Sequence, residues 1–276
     1  LSARLDVLPS EITNELSHLQ DEVQPEDYNQ IRRMIETEFD QPQEMRFEFV
    51  NPQPVAAASI GQVHSARLRL EEENAEDKNL RPPVVIKVQR PNIEQIVATD
   101  LAALQRVGRW LQLYRPIRRH VDVPALLREF SQTLYEEIDY LHEGKNAEIF
   151  AENFTNVEDV RVPAVYWPFT TRRVLTLEDV QGIKITDYAA IDAAGIDRKQ
   201  VALRLFDIYL KQIFEDRFFH ADPHPGNLFV LPKRETADSE VLKFQIVFVD
   251  FGMAGRITDN ILSGLRELVI AVAQRD

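Results

Sequence analysis

Two stretches of the chain carry residue types and spacings that could do chemistry: His220-Ala221-Asp222-Pro223-His224-Pro225-Gly226-Asn227, and the apolar run 246–249 leading into Asp250-Phe251-Gly252. The chemistry they suit is metal-dependent phosphoryl transfer. That reaction asks for a positioned nucleophile and for Mg²⁺ held on carboxylate and amide oxygens, which neutralises the triphosphate. In one known layout for it an Asp addresses the acceptor, an Asn five positions later holds one metal, and an Asp at the end of the next strand holds the other. Asp222, Asn227 and Asp250 fill these places in order. Pro223 and Pro225 fix their own φ and push Asp222 and His224 out of the helical region, so the loop should be stiff and extended. Two prolines between an apolar helix and an apolar strand also argue against a surface turn with incidental polar residues.

Such a loop has to be presented by a buried helix and followed by a hairpin. The pattern supplies a helix over 197–218, with Val201, Leu205, Ile208, Tyr209, Ile213 and Phe214 inward, then strands over 228–231 and 244–249 around a polar tip. The hairpin would set Asn227 beside Asp250. Upstream, Phe47, Phe49 and Val55 suggest extended chain before Ala56-Ala57-Ala58-Ser59-Ile60-Gly61-Gln62, and Val84-Val85-Ile86-Lys87-Val88 returns as an apolar strand bearing one lysine. A strand, a small-residue turn, a strand and a projecting Lys form the nucleotide-binding hairpin of a kinase small lobe, with Ala56, Ala57, Ala58, Ser59 and Lys87 as its contacts. The usual turn is glycine-rich, because positive φ brings backbone N–H groups onto phosphates. Alanine penalises that geometry, so this loop should take another shape, with possible helical character.

Between these parts the spacing predicts a helix over 92–114 and a second from Asp122 as N-cap, running through Glu136-Glu137-Ile138-Asp139-Tyr140-Leu141-His142-Glu143. On one helix Asp139 and Glu143 fall within about 40° of each other and Glu137 points away. Residues 160–165 and 172–180 read as a strand pair. The second ends where a kinase places its hinge, so backbone groups of Glu178 and Val180 are candidates for the adenine edge. The N-terminal 39 residues read as two or three amphipathic helices. His18, His64, His120 and His142 lack ligand-like spacing and are taken as structural or surface residues, and His220 and His224 as partners of loop backbone.

The 276 residues allow one large domain or two lobes, and the absence of cysteine excludes disulfides and thiolate chemistry. A net charge of −13 argues against general affinity for nucleic acid or for anionic membranes. Against that background Arg106, Arg109, Arg115, Arg118, Arg119 and His120 cluster around Trp110, Leu111, Leu113 and Tyr114, either as a solvated helix end or as a basic, aromatic, membrane-facing patch. No run of apolar residues is long enough to span a bilayer. A start without Met and a stop inside an apolar helical run make a piece of a longer protein the expectation, so a missing targeting signal decides nothing.

With residues 56–64, Val85-Ile86-Lys87-Val88-Gln89-Arg90-Pro91, Glu137-x-Asp139, the 220–227 loop and Asp250-Phe251-Gly252 in this order, the sequence resembles the UbiB family of atypical kinases, also called the aarF-domain or activity-of-bc1 family. The resemblance implies an α+β, protein-kinase-like two-lobed fold: a small antiparallel-sheet lobe, a mainly helical large lobe and family-specific extra helices. Its parts would be a helical extension (1–44), a small lobe with inserted helices (45–181) and a large lobe (182–276). It also implies binding of ATP or ADP, Mg²⁺ dependence, ATPase activity and a role in ubiquinone, plastoquinone or tocopherol biosynthesis. Its partners would be a membrane surface or quinone-precursor lipid and other quinone-biosynthesis proteins, in a bacterium, a mitochondrion or a plastid. By resemblance Asp222 is the catalytic Asp, Lys87 contacts phosphate with Glu143 as its ion-pair partner, Asn227 and Asp250 hold metal, and Glu137 and Asp139 form the family's cleft signature. The family's Lys-x-Gly-Gln motif would precede Leu1, and further helices would follow Asp276. A small-molecule phosphotransferase and a nucleotide-regulated scaffold stand as alternatives.

Overall fold

A computed structural model describes residues 24–69, 83–119, 121–233 and 244–274. The helical stripe expected over 1–23, the charged tip at 71–78 and most of the polar tip after Pro232 lie outside the described residues. The chain divides into two compact units, one of residues up to Leu141 with Tyr166–Asp179, the other of His142–Val165 with the residues from Val180 onward.

The first unit opens with helix α1 (Tyr28–Phe39), started by the Asp27 side chain, which accepts from the Asn29 N–H, and stopped by Asp40 at φ 50°. Its Ile31 and Ile35 are fully buried on one face of an antiparallel sheet. That sheet contains β1 (Phe47–Val50), β2 (Ala56–Ala57), β3 (Gly61–Leu68) and β4 (Pro83–Gln89). Strand β5 (Val160–Arg161) belongs to the second unit, whereas β6 (Val174–Glu178) completes the first sheet, in the order β1-β3-β4-β6 with β2 on β3. Period-two alternation puts Val84, Ile86 and Val88 of β4 into the core and leaves Lys87 on the other face. Helices α2 (Ile93–Leu113) and α3 (Val123–Glu137) pack on one another at Gly108, where a Cβ would sit 2.3 Å from Leu127 Cδ1. Asp122 caps α3 as expected, accepting from the Ala125 N–H at 3.0 Å. Leu126 and Phe130 of the same helix are exposed.

The single helix expected through Glu143 breaks. Helix α3 ends at Glu137, and α4 (Tyr140–Asn153) starts anew, with the Asp139 carboxylate accepting from the Leu141 N–H at 3.0 Å. Two anchors set the break: Ile138 is buried with Ile93, Val97 and Leu101, and the Tyr140 N–H donates to Arg172 O at 3.1 Å. Asp139 prefers capping to continuing the helix, so the common-face argument for Asp139 and Glu143 does not hold. The strand pair expected over 160–165 and 172–180 is also corrected. β6 pairs with β4, and β5 runs parallel to β10 (Phe244–Phe248).

In the second unit β5, β10, β9 (Leu228–Pro232) and β7 (Ile183–Lys184) form a sheet in that order. After α5 (Tyr188–Ala193) comes α6 (Arg198–Lys211), N-capped by Asp197. The helix expected to reach residue 218 instead loosens into a π turn over Gln212–Asp216 and stops at Arg217, φ 55°. β8 (Phe218–His220) follows and pairs with β11 (Ala254–Arg256) ahead of α7 (Asp259–Ala273). Phe150, Ile208, Phe218, Val230, Ile246 and Phe248 centre the core.

Candidate functional site

Helix α6 and its π turn deliver the loop. Gln212 is fully buried, and its Oε1 accepts from the His220 N–H at 2.9 Å, which fixes where the loop leaves β8. Beyond it Pro225–Asn227 forms a single 3₁₀ turn, with His224 extended at φ −63°, ψ 135° and its Nδ1 accepting from the Gly226 N–H at 3.1 Å. The turn folds Asn227 back so that its Nδ2 donates to Asp222 Oδ2 at 2.9 Å. The hairpin of β9 and β10 then closes with Phe248 opposite Leu228, and the Val249 N–H donates to Asn227 O at 3.0 Å. Asn227 therefore stands one residue from Asp250 across the hairpin, as the spacing predicted.

Asp250 holds φ at 64°, a left-handed conformation uncommon for a non-glycine residue and one that persists only where neighbours enforce it. Its neighbours do so. His220 Nε2–H donates to Asp250 O at 2.7 Å, the Gly252 N–H donates to Asp250 Oδ1 at 3.3 Å, and Asn146 Nδ2 donates to Phe251 O at 3.0 Å. Phe251 is buried between His220 and Phe150, with ring centroids 5.5 and 5.2 Å away. The π turn's helix adds Tyr209, whose hydroxyl is buried with no hydrogen-bond partner among the described residues. Burial, with the Asp222 charge adding to it, pushes that phenol up to about 12. Tyr209 thus remains a neutral potential donor beside Asp222.

In the first unit the Ala-rich segment is a strand and a tight turn, not a helix. Ala56 pairs with Val63 and Ala57 with Gln62, and the Ala58 N–H donates to Gly61 O at 2.8 Å, with Ser59 at the exposed tip. No residue of the tip has positive φ, which is why alanine is tolerated there. Lys87 lies opposite Val63 on one side and Leu175 on the other, its Nζ 5.3 Å from the Tyr140 ring centroid. Sequence reasoning missed the residues that hold this hairpin. Arg90 donates from Nε to Ala58 O at 3.0 Å, from Nη1 to Glu26 Oε1 at 2.7 Å and from Nη2 to Gln24 O at 2.7 Å. Gln62 Oε1 accepts from the Glu26 N–H at 2.8 Å, and buried Gln89 donates to Ile138 O and Arg172 O. His64 is structural: it is fully buried, with Nδ1 2.7 Å from Asn51 O and Nε2 2.8 Å from Gln62 Nε2. Its pKa is lowered by burial, against the Asn51 hydrogen bond.

Glu137 closes α3, and Asp139 caps α4 with Arg172 Nε 3.8 Å from its Oδ2. Glu143 is buried in the first turn of α4 and belongs to the second unit, as does Val180, whose carbonyl accepts from the Gly182 N–H at 2.9 Å. Glu178 ends β6 opposite Val84.

The Asn227 and Asp250 side chains offer an amide oxygen and a carboxylate. Those hard donors fit Mg²⁺, which usually takes one or two carboxylates and completes its shell with phosphate and water oxygens. An all-protein cage is not offered: among the described residues no group of three or more His, Cys, Asp or Glu is placed to hold a metal.

The family model "ABC1 atypical kinase-like domain" matches residues 18–276. Among curated relatives, chloroplastic Protein ACTIVITY OF BC1 COMPLEX KINASE 8 of Arabidopsis thaliana is 40% identical over 277 residues, covering all of this chain and 34% of the relative. A probable protein kinase UbiB of Cellvibrio japonicus is 35% identical over 276 residues, covering all of this chain and 47% of the relative. The chain thus spans between a third and a half of the length of these relatives. Among solved structures, the complex of Rv3197 with erythromycin from Mycobacterium tuberculosis has a similar fold, with a TM-score of 0.63 and 24% identity over 92% of this chain and 59% of that one.

Proposed function

The chain belongs to the ABC1 atypical kinase-like family, also known through its UbiB members, and from that premise we propose a Mg²⁺-dependent enzyme that binds ATP and hydrolyses it or transfers its terminal phosphoryl group. The observation that carries this reading is the Asp222–Asn227 hydrogen bond, with Asn227 tied to the strand end that bears Asp250. Asn227 and Asp250 would hold the metal, whose charge offsets that of the phosphates. Asp222 orients the acceptor or a water and takes its proton. By the family resemblance Lys87 is assigned to the phosphates and Glu143 the role of its ion-pair partner, the Ala56–Ser59 turn is assigned to the phosphates as well, and the backbone groups of Glu178 and Val180 are assigned to the adenine. Glu137 and Asp139 form the acidic signature of the same cleft. The family resemblance adds a role in isoprenoid quinone metabolism at a membrane, and the relatives' names support a bacterial or plastid setting. Quinone-precursor lipids and quinone-biosynthesis proteins are the partners this reading gives the whole protein.

Calorimetric titration of the protein with ATP and ADP, with and without Mg²⁺, tests the proposal. Mg²⁺-enhanced binding that weakens at least about tenfold, or about 1.4 kcal/mol, in Lys87→Met is expected. Absence of nucleotide binding to the folded protein would refute it.

A further inference from the structure

We infer that the tip of the α2–α3 hairpin is a docking surface for an anionic lipid bilayer. At about 100° per residue, Trp110 lies roughly opposite the buried Leu101 on α2, and Arg106 and Leu113 fall within about 60° of Trp110. This face turns away from the stripe that packs on the unit: Val97, Leu101 and Gly108 are buried, whereas Trp110, Leu113 and Tyr114 are 67%, 80% and 63% exposed. Isolated exposed apolar residues are ordinary, but three large ones together on one tip are not.

Charge points to the same occupant. Residues 101–121 contain Arg106, Arg109, Arg115, Arg118 and Arg119 and no acidic residue, in a chain of net charge −13. No carboxylate among the described residues forms an ion pair with these five guanidinium groups. The short helix Arg115–Arg118 continues the tip, so the cations flank the apolar residues. A bilayer interface uses both features at once: Trp and Tyr settle at headgroup level, Leu enters the acyl boundary, and Arg pairs with lipid phosphate while its stem lies on apolar surface. A nucleic acid would use the arginines and leave Leu113 in water. No described helix is long and apolar enough to cross a membrane, so the inferred contact is interfacial. The inference deepens the membrane part of the function proposed above and does not depend on nucleotide turnover.

The test is co-sedimentation of the full-length protein with vesicles of phosphatidylcholine alone and of phosphatidylcholine mixed with phosphatidylglycerol, at low and high ionic strength. The parent should partition onto the anionic vesicles and be released by salt. Arg109→Glu with Arg115→Glu, and separately Trp110→Ser with Leu113→Ser, should each lower that partition about tenfold or more, with elution volume and nucleotide affinity unchanged. Equal partition of variants and parent would overturn the assignment, as when another part of the protein carries the binding. So would a parent indifferent to lipid charge, or a parent that binds no vesicle and loses a dimer when the tip is changed. Loss of nucleotide binding by the parent would refute the enzymatic reading and leave this one standing.

Discussion

Replacing Arg90 by Met should loosen the nucleotide hairpin while leaving the fold in place. The guanidinium makes three hydrogen bonds, to Ala58 O, Glu26 Oε1 and Gln24 O, at 3.0, 2.7 and 2.7 Å. Its side chain is 16% exposed and that of Glu26 28%. Hydrogen bonds to charged groups are worth about 1.5–3 kcal/mol each when buried. Water can replace part of each here, so a total loss of about 2–4 kcal/mol is expected, and Met retains the packing of the stem. Two of the partners are carbonyls of the loop and of residues 24–26, so much of the loss should appear as local opening rather than global unfolding. Amide exchange read residue by residue should show Ala58, whose N–H donates to Gly61 O, exchanging at least about tenfold faster, with the helical amides of α6 unchanged. If about 1.4 kcal/mol of the loss falls on the nucleotide-competent loop, ATP affinity drops about tenfold. Arg90→Lys keeps the charge beside Glu26 but cannot fork to all three partners, so it should lie between parent and Met. A folded Arg90→Met protein with parental exchange at Ala58 and parental ATP affinity would refute the reasoning.

Three further outcomes are expected. Gly61→Ala should cost about 2–3 kcal/mol in a urea melt, because the new Cβ would stand 2.3 Å from Tyr140 Oη and 2.6 Å from Val88 O; Tyr140→Phe should restore only part, since the carbonyl remains. His64 is neutral in the fold and its pKa is lowered, so its contribution to stability is full above the unfolded value near 6.5 and is lost as pH falls from there towards the lowered folded value. Denaturant midpoints taken over that range should flatten in His64→Leu, and an unchanged slope would remove His64 as the cause. Tyr209 has the opposite sign: its stabilisation is present below about 10 and is lost as pH rises through about 12. Ultraviolet titration should lose a phenolate step near 12 in Tyr209→Phe, while the phenols of Tyr28 and Tyr166, also raised by burial, still titrate.

What was legible in the sequence was local. Pro223, Pro225 and the five-residue spacing from Asp222 to Asn227 encode their own loop, and the β9–β10 pairing follows from the apolar runs on either side of the polar tip beyond it. Asp122 announces its helix start because a short acidic side chain caps its own backbone, and Asp27 and Asp197 cap two further helices in the same way. What was hidden depends on partners far along the chain. The break after Glu137 is set by Ile138 in the α2 stripe and by Arg172, and no periodicity within 122–143 encodes it. Strand β5 finds a parallel partner more than eighty residues away, so its apparent pairing with the next apolar run misled. Arg90 and Gln89 sit inside a motif whose lysine draws the attention, yet their partners lie 64, 66 and 49 positions away. The alanines do not fit a phosphate-cradling glycine loop, and the hairpin avoids that loop's need for positive φ by pairing Ala56 and Ala57 as strand.

The central claim is that Asp222, Asn227 and Asp250 serve metal-dependent phosphoryl chemistry on ATP, and phosphate release measures it most directly. The full-length protein with ATP and Mg²⁺ should release phosphate, and chelation of the metal should stop it. Asp250→Asn should lower the rate by at least about a hundredfold, with the melting profile within a few degrees of the parent. A protein that binds ATP yet releases no phosphate and transfers none to any added acceptor, or an Asp250→Asn variant that turns over at the parental rate, would contradict it.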